Sequence, residues 1–202
     1  MKPGLLIAFE GIDGTGKSTQ LPLLAAYLRD RGLAVVETRE PTDGPYGQQI
    51  RALYRNRKQA SPAQELELFL LDRRQHVDEC IRPALGRGAI VLTDRYYFST
   101  AAYQGAAGCD PARIFACHEF APEPDLVLLL TLPVAEGIAR ICDLRGETLN
   151  DFEQRDQLEK VAALFASFPH SCIVRIHAAR PVAEVQASIR AAVQQLLVRK
   201  GV

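Results

Sequence analysis

Short unbroken apolar runs alternate along this chain with longer stretches in which apolar side chains recur every three or four residues. The runs at 5–9, 34–38, 89–93, 125–132 and 172–176 are rich in Leu, Ile and Val and too brief for a stable helix. Continuous rather than alternating hydrophobicity suits strands covered on both faces, as in a parallel sheet. Between them lie the helical patterns. Leu21, Leu24, Ala25 and Leu28 share one face of a segment from 19 to 31, and Gly32 is placed to cap it. Ile50 and Leu53 mark a second segment, 46–57. Ser61-Pro62-Ala63-Gln64 opens a third with an N-cap serine, a first-turn proline and a capping-box glutamine. Leu66, Phe69, Leu70, Val77 and Ile81 mark its buried side, and it ends near Gly86 or Gly88.

The carboxyl-terminal half repeats the alternation. A short helix spans 133–143. Leu158, Val161, Ala162 and Phe165 form one stripe on 151–168, and Val182, Val185, Ile189, Val193 and Leu196 another on 181–199. Strand and helix in turn predict an α/β fold, a doubly wound five-stranded parallel sheet with helices on both faces. No repeat, linker or low-complexity tract divides the chain, so 1–202 reads as one domain.

Composition changes this picture little. Lys plus Arg number 24 and Asp plus Glu number 24, so no global field draws the chain to nucleic acid or to a membrane. Neither is expected as a partner. The five cysteines form no C-x-x-C pair, and an odd number suits reduced thiols and a cytoplasmic address. The N-terminus reads as a first strand rather than a signal peptide, and no apolar stretch approaches the roughly 20 residues that span a bilayer.

The chemistry begins directly after the first strand. Gly11-Ile12-Asp13-Gly14-Thr15-Gly16-Lys17-Ser18 has the form G-x-x-x-x-G-K-[ST], a phosphate-binding loop. Glycine lets the backbone curl around an anion with its N–H groups pointing inward. Lys17 can reach the β- and γ-phosphates, the Ser18 hydroxyl can ligate Mg²⁺, and the following helix presents its positive end. A nucleoside triphosphate is the expected ligand, on a P-loop NTPase-type fold. The loop at 39–45 and Asp94-Arg95-Tyr96 fall at the same carboxyl edge of the sheet, where such folds bind ligands.

Asp143-Leu144-Arg145-Gly146 matches the D-x-x-G of GTPases, but it follows a helix, and the chain contains no N-K-x-D. Motor-type ATPases end a strand on an acidic pair, whereas here it ends Thr93-Asp94-Arg95. That pair suits a small kinase: Asp94 can hold Mg²⁺ or its waters while Arg95 grips an acceptor phosphate bidentately.

Residues 9–20, Phe9-Glu10-Gly11-Ile12-Asp13-Gly14-Thr15-Gly16-Lys17-Ser18-Thr19-Gln20, resemble the opening of thymidylate kinases. So do Arg39-Glu40-Pro41, Phe69-Leu70-Leu71-Asp72-Arg73-Arg74-Gln75-His76-Val77 and Ile81-Arg82-Pro83-Ala84-Leu85. The most telling stretch is Asp94-Arg95-Tyr96-Tyr97-Phe98-Ser99-Thr100-Ala101-Ala102-Tyr103-Gln104-Gly105. The resemblance implies phosphorylation of dTMP to dTDP with ATP and Mg²⁺, in dTTP biosynthesis, by a homodimer packed through helices. It assigns ATP to Gly11, Ile12, Asp13, Gly14, Thr15, Gly16, Lys17, Ser18 and Thr19, and the metal to Ser18, which Asp94 joins from the strand-end reading above. Asp13 would also touch the acceptor. Phe69 would stack on the thymine, Arg73 would bond its O4 edge, and Thr100 and Gln104 would reach the base. Tyr103 would crowd the sugar 2′ position, Pro41 would wall the base pocket, and Arg39 and Arg95 would contact phosphate.

Gly14 stands where one branch of the family carries a loop arginine, so the resemblance moves that role to a lid at about 144–155. Arg145 is the first candidate there, followed by Arg140 and Arg155; Asp13, Lys17 and Arg95 complete the catalytic set. His76, His118, His170 and His177 fall outside the motifs and read as structural or surface residues. A kinase of another small acceptor (dUMP or a deoxynucleoside) and a catalytically weak nucleotide binder are the alternatives.

Overall fold

The computed structural model describes residues 4–54, 60–145 and 153–202, with Leu144 and Arg145 described by backbone alone. Strands β1 (Leu5–Glu10), β2 (Val35–Arg39), β3 (Ile90–Asp94), β4 (Leu126–Thr131) and β5 (Ile173–His177) pair in parallel in the order β2-β3-β1-β4-β5. Phe9 lies opposite Asp94 on one side and Leu128 on the other, so the strands end together. The five-stranded parallel sheet is as expected. Its three central strands are almost wholly buried, whereas β2 and β5, at the edges, are half-exposed.

Side chains alternate across the pleat and divide the core into two layers. Leu5, Ile7 and Phe9 pack with Leu24 and Leu28 of α1 (Lys17–Arg29) and with Ile189 and Val193 of α9 (Val182–Lys200). Leu6 and Ala8 face the other way, toward Phe98 of α5 (Tyr97–Ala106) and Leu158 and Phe165 of α8 (Arg155–Ser167). Each such buried Leu, Ile, Val or Phe side chain contributes roughly 1.5–3 kcal/mol relative to exposure. The remaining helices are α2 (Pro45–Leu53), α3 (Pro62–His76), α4 (Arg82–Gly86), α6 (Pro111–Cys117) and α7 (Val134–Arg145).

Two local results differ from the sequence expectation. The helix from residue 62 is interrupted by a widened turn at Val77–Ile81, where the Arg82 N–H reaches back to the Val77 carbonyl. Pro83 follows at once, and a residue with no N–H to donate is accommodated by that looser turn. Helix α6 was not expected. Its start was written plainly enough, since the Ala112 N–H donates to Asp110 Oδ1 at 3.0 Å and Pro111 occupies the first turn. The element is short, however, and Ile114 is its only buried residue. The capping box at Ser61 forms as read: Gln64 N–H donates to Ser61 Oγ and the Ser61 N–H to Gln64 Oε1.

Candidate active site

The carboxyl ends of β1 and β3 and the amino ends of α1 and α5 converge on one place. The loop between β1 and α1 turns through Gly11, Gly14 and Gly16, all with positive φ. At Gly11 a Cβ would lie 2.3 Å from the Leu130 carbonyl oxygen, so the loop closes against β4 only because that atom is absent. The Thr15 hydroxyl donates to the Ile12 carbonyl at 2.9 Å and ties the loop across itself. Lys17 lies folded over the loop and donates to the Gly11 and Ile12 carbonyls at 3.1 and 3.0 Å. Burial, with Arg95 nearby, pushes its ammonium below the usual lysine range, while Asp94, Asp13 and Glu10 act against that.

Arg95 follows β3 directly and has φ 74°, a left-handed conformation that costs a non-glycine residue about 1–3 kcal/mol. The surroundings hold it there. Its N–H donates to the Phe9 carbonyl at 2.9 Å, and the Thr93 hydroxyl donates to its carbonyl at 2.8 Å. The guanidinium then meets Asp13 Oδ1 at 2.7 Å, Ser99 Oγ at 3.0 Å and the Gly11 carbonyl at 3.3 Å. The Tyr103 hydroxyl donates to Asp13 Oδ2 at 2.8 Å. Burial raises the Asp13 carboxyl, but Arg95, Lys17 and Tyr103 outweigh it and hold the group down at about 2. Asp13 is therefore an anion with both oxygens occupied, fixed between the loop and α5.

Behind this pair stands Glu10, fully buried. Oε1 accepts the Tyr96 and Ser99 N–H groups at 2.9 and 3.1 Å, and Oε2 accepts the Ser99 hydroxyl at 2.5 Å. It caps α5 from another element, satisfying N–H groups that a helix leaves unpaired at its start. Burial pushes its carboxyl up to about 7, against the lowering effects of Ser99, Arg95 and the backbone donors.

Two clefts open from this centre. One follows the loop past Lys17 and Ser18 to Arg140, Arg180 and Val182. The other runs beneath α5. Pro41, Tyr54, Phe69 and Tyr96 form its apolar walls, and Arg73, Ser99, Thr100 and Glu153 supply polar groups. Asp13, Glu40 and Arg95 line both clefts.

At the far end of the second cleft Arg73 is nearly inaccessible, 1% exposed. Its Nε donates to Glu40 Oε2 at 2.9 Å, Nη2 donates to the same oxygen, and Nη1 donates to Thr100 Oγ1 at 3.1 Å. Glu40 Oε1 also meets His76 Nδ1 at 2.9 Å, and the His76 ring passes the chain on to Thr38 Oγ1 at 2.6 Å. Burial raises the Glu40 carboxyl, yet Arg73 and His76 bring it below the usual glutamate range. The Glu40–Pro41 peptide is cis.

Most of the residues read from the sequence meet here. Asp13, Pro41, Phe69, Arg73, Arg95, Thr100 and Tyr103 line the second cleft; Gly14, Thr15, Gly16, Lys17, Ser18, Thr19 and Asp94 line the first. Two candidates do not reach the second cleft. Arg39 lies on the rim of the first, exposed and paired with Asp43 at 2.7 Å. Gln104 is fully buried and lines neither cleft. Of the lid, the Arg145 side chain and residues 146–152 lie outside the described residues. Arg140 lines the first cleft and donates to the Ala178 carbonyl, and Arg155 is exposed and pairs with Glu159 at 3.2 Å. Sequence reasoning missed Tyr54, Arg180 and the roles of Glu40 and Glu153. Arg180 had a usable signal, since it follows β5 at the carboxyl edge.

Asp94 Oδ1 is buried and has no hydrogen-bond partner among the described residues. It shares a cleft with Ser18. Among the described residues no cluster of three or more His, Cys, Asp or Glu could hold a metal alone. A hydroxyl and one unsatisfied carboxylate fit Mg²⁺, which keeps waters and completes its shell with substrate phosphates.

The family model for thymidylate kinase matches residues 9–189. A thymidylate kinase of Desulfotalea psychrophila is 54% identical over 195 residues, covering 96% of this chain and 96% of that protein. One of Xanthomonas campestris pv. campestris is 50% identical over 164 residues, 81% of this chain and 71% of its own length. One of Xylella fastidiosa is 46% identical over 162 residues, 80% and 74%.

Proposed function

Because the chain belongs to the thymidylate kinase family, we propose that it transfers the γ-phosphoryl group of ATP to the phosphate of dTMP. A phosphate oxygen of dTMP bonds to Pγ as the bond from Pγ to the ADP oxygen breaks, giving ADP and dTDP. The observation that carries this reading is the junction: Asp13 and Arg95 belong to both clefts, so a triphosphate in one and a monophosphate in the other meet at Arg95.

Positioning and positive charge do most of the work in such a transfer. The loop N–H groups and Lys17 hold the donor phosphates. Arg95, fixed by Asp13, Ser99 and the Gly11 carbonyl, clamps the acceptor phosphate from its rigid left-handed turn. Asp13 keeps the guanidinium aimed and, being ionised, cannot compete as a proton donor. Phe69 and Tyr96 face the base, and Arg73 and Thr100 read its edge. Tyr103 keeps its phenolic proton, because burial and Asp13 push its pKa far up, and it stands where a sugar would pass. Ser18 and Asp94 would hold Mg²⁺, which would neutralise charge on the bridging phosphate oxygens.

The lid arginine, the homodimer and a cytoplasmic location are part of the same proposal. Arg145 remains first among the lid candidates by resemblance, and the dimer rests on resemblance alone. Among the described residues no helix is long and apolar enough to cross a membrane.

Release of ADP in the presence of Mg²⁺ and each nucleoside monophosphate in turn tests the reading. Turnover with dTMP above all others is expected. Preference for another acceptor would overturn the substrate, and tight binding of ATP and dTMP without turnover would overturn the activity.

A further inference from the structure

Arginine has five N–H groups and no acceptor. Four of those on Arg73 are used within the protein. Nε–H and one Nη2–H go to Glu40, one Nη1–H goes to Thr100, and the other Nη1–H points at His118 Nε2. His118 is not in the cleft. It lies behind Arg73 at the end of α6, 3% exposed, and arrives from 45 residues away in sequence.

Its chemistry is forced by its two neighbours. Nδ1 sits 2.6 Å from the Ile114 carbonyl, which can only accept, so Nδ1 carries the proton. Arg73 can only donate, so Nε2 must present its lone pair. Burial, reinforced by the Arg73 cation, keeps the ring neutral with a pKa down at about 3, although the Ile114 carbonyl and Glu40 favour the charged form.

We propose that His118 is a positioning residue that sets base specificity: by taking one Nη1 hydrogen it leaves Arg73 a single N–H, on Nη2, for the base. A lone, fixed donor matches the 4-oxo group of thymine or uracil. Opposite the 4-amino group of cytosine it sets N–H against N–H. Without His118 the guanidinium carries a second unassigned hydrogen and is free to pivot about its Glu40 contacts. This inference rests on the dTMP reading above.

The test compares wild type with His118→Gln, whose amide oxygen can accept from the position of Nε2, and His118→Leu, which fills space without an acceptor. Steady-state rates are measured with dTMP and with dCMP, alongside the KM for ATP and a thermal melt. For His118→Leu we expect the dTMP KM to rise about tenfold, the size of one lost hydrogen bond to a charged group. The kcat and the ATP KM should stay within about twofold, and the preference for dTMP over dCMP should narrow about tenfold. His118→Gln should recover most of both. A folded His118→Leu enzyme with unchanged dTMP KM and preference would overturn the proposal. So would a uniform loss in kcat and both KM values, which is what a merely structural role produces. ¹⁵N spectra of the wild-type imidazoles supply a check that needs no variant. A neutral Nδ1–H ring at pH 5 is expected, and a His118 titrating between pH 6 and 7 would overturn it. If the wild type fails to phosphorylate dTMP, the functional reading falls instead, while the spectra still report on the His118 pairing.

Discussion

Replacing Glu10 by glutamine should make this protein more stable above neutral pH, although it removes a buried side chain that makes three hydrogen bonds. The carboxyl is displaced from its ordinary 4.5 to about 7, chiefly by burial. In the unfolded chain it ionises near 4.5; in the folded chain it must hold its proton or bury a charge. Below about pH 4.5 the group is protonated in both states and exacts no penalty. As pH rises from 4.5 through 7, the folded state loses stability relative to the unfolded one. At 1.36 kcal/mol per pH unit the loss reaches about 3 kcal/mol by pH 8.

Glutamine has the same shape and no charge to bury. Its Oε1 can accept the Tyr96 and Ser99 N–H groups as Glu10 Oε1 does. Its Nε2 can donate to Ser99 Oγ, which has a second lone pair beyond the one that receives Arg95. Glu10→Gln and wild type should therefore be within about 0.5 kcal/mol at pH 4.5, and the variant about 3 kcal/mol more stable at pH 8. At roughly 2–4 °C per kcal/mol for a chain of this size, Tm should rise by about 6–12 °C at the higher pH. Urea unfolding at the two pH values measures the difference directly. An advantage that does not grow with pH, or a variant less stable at pH 8, would refute the reasoning.

Three further outcomes are expected. Arg95→Lys loses the planar fork that spans Asp13, Ser99 and the Gly11 carbonyl. Its kcat/KM for dTMP should fall about 100-fold or more, about 3 kcal/mol of transition-state stabilisation, with circular dichroism unchanged. Gly47→Ala would put a Cβ 1.9 Å from the Thr42 carbonyl oxygen in the loop that carries Pro41. It should destabilise the protein by about 1–3 kcal/mol and raise the dTMP KM, both read from one preparation. Ser61→Ala removes the capping box of α3 far from the chemistry, and should cost about 1 kcal/mol in urea unfolding while leaving kcat unchanged.

The sheet was legible because its three central strands are buried on both faces and so must be written as unbroken apolar runs. The edge strands β2 and β5 were placed to within one residue as well, although one side of each meets water, because both keep enough Val and Ile to stand out from the polar segments around them. The loop at 11–18 announced itself, since few other residue types tolerate its backbone. What lay beyond local pattern was pairing across long separations. Nothing near Glu40 in sequence indicates that it will meet Arg73, 33 residues on, or that His118 will close the set. Gln104 illustrates a related limit. Four residues from Thr100 it shares that helix face, but α5 is buried from Tyr97 to Gln104, and a shared face need not open on a cleft. Arg39 was placed at the right edge of the sheet; the side-chain direction followed Asp43, which periodicity does not encode.

The glycine at 14 bears on how this kinase could change over evolutionary time. A Cβ there would lie 2.2 Å from the Gly137 carbonyl oxygen, and one on Gly137 would lie 3.0 Å from the Asp13 carbonyl oxygen. The two backbones are pressed together, so the positions are not independent letters of the sequence. An arginine transplanted into the loop would be shut out by α7 unless that helix first retreated. Any residue with a side chain at position 14 therefore needs an accommodating shift of α7, so the loop and that helix can change only together.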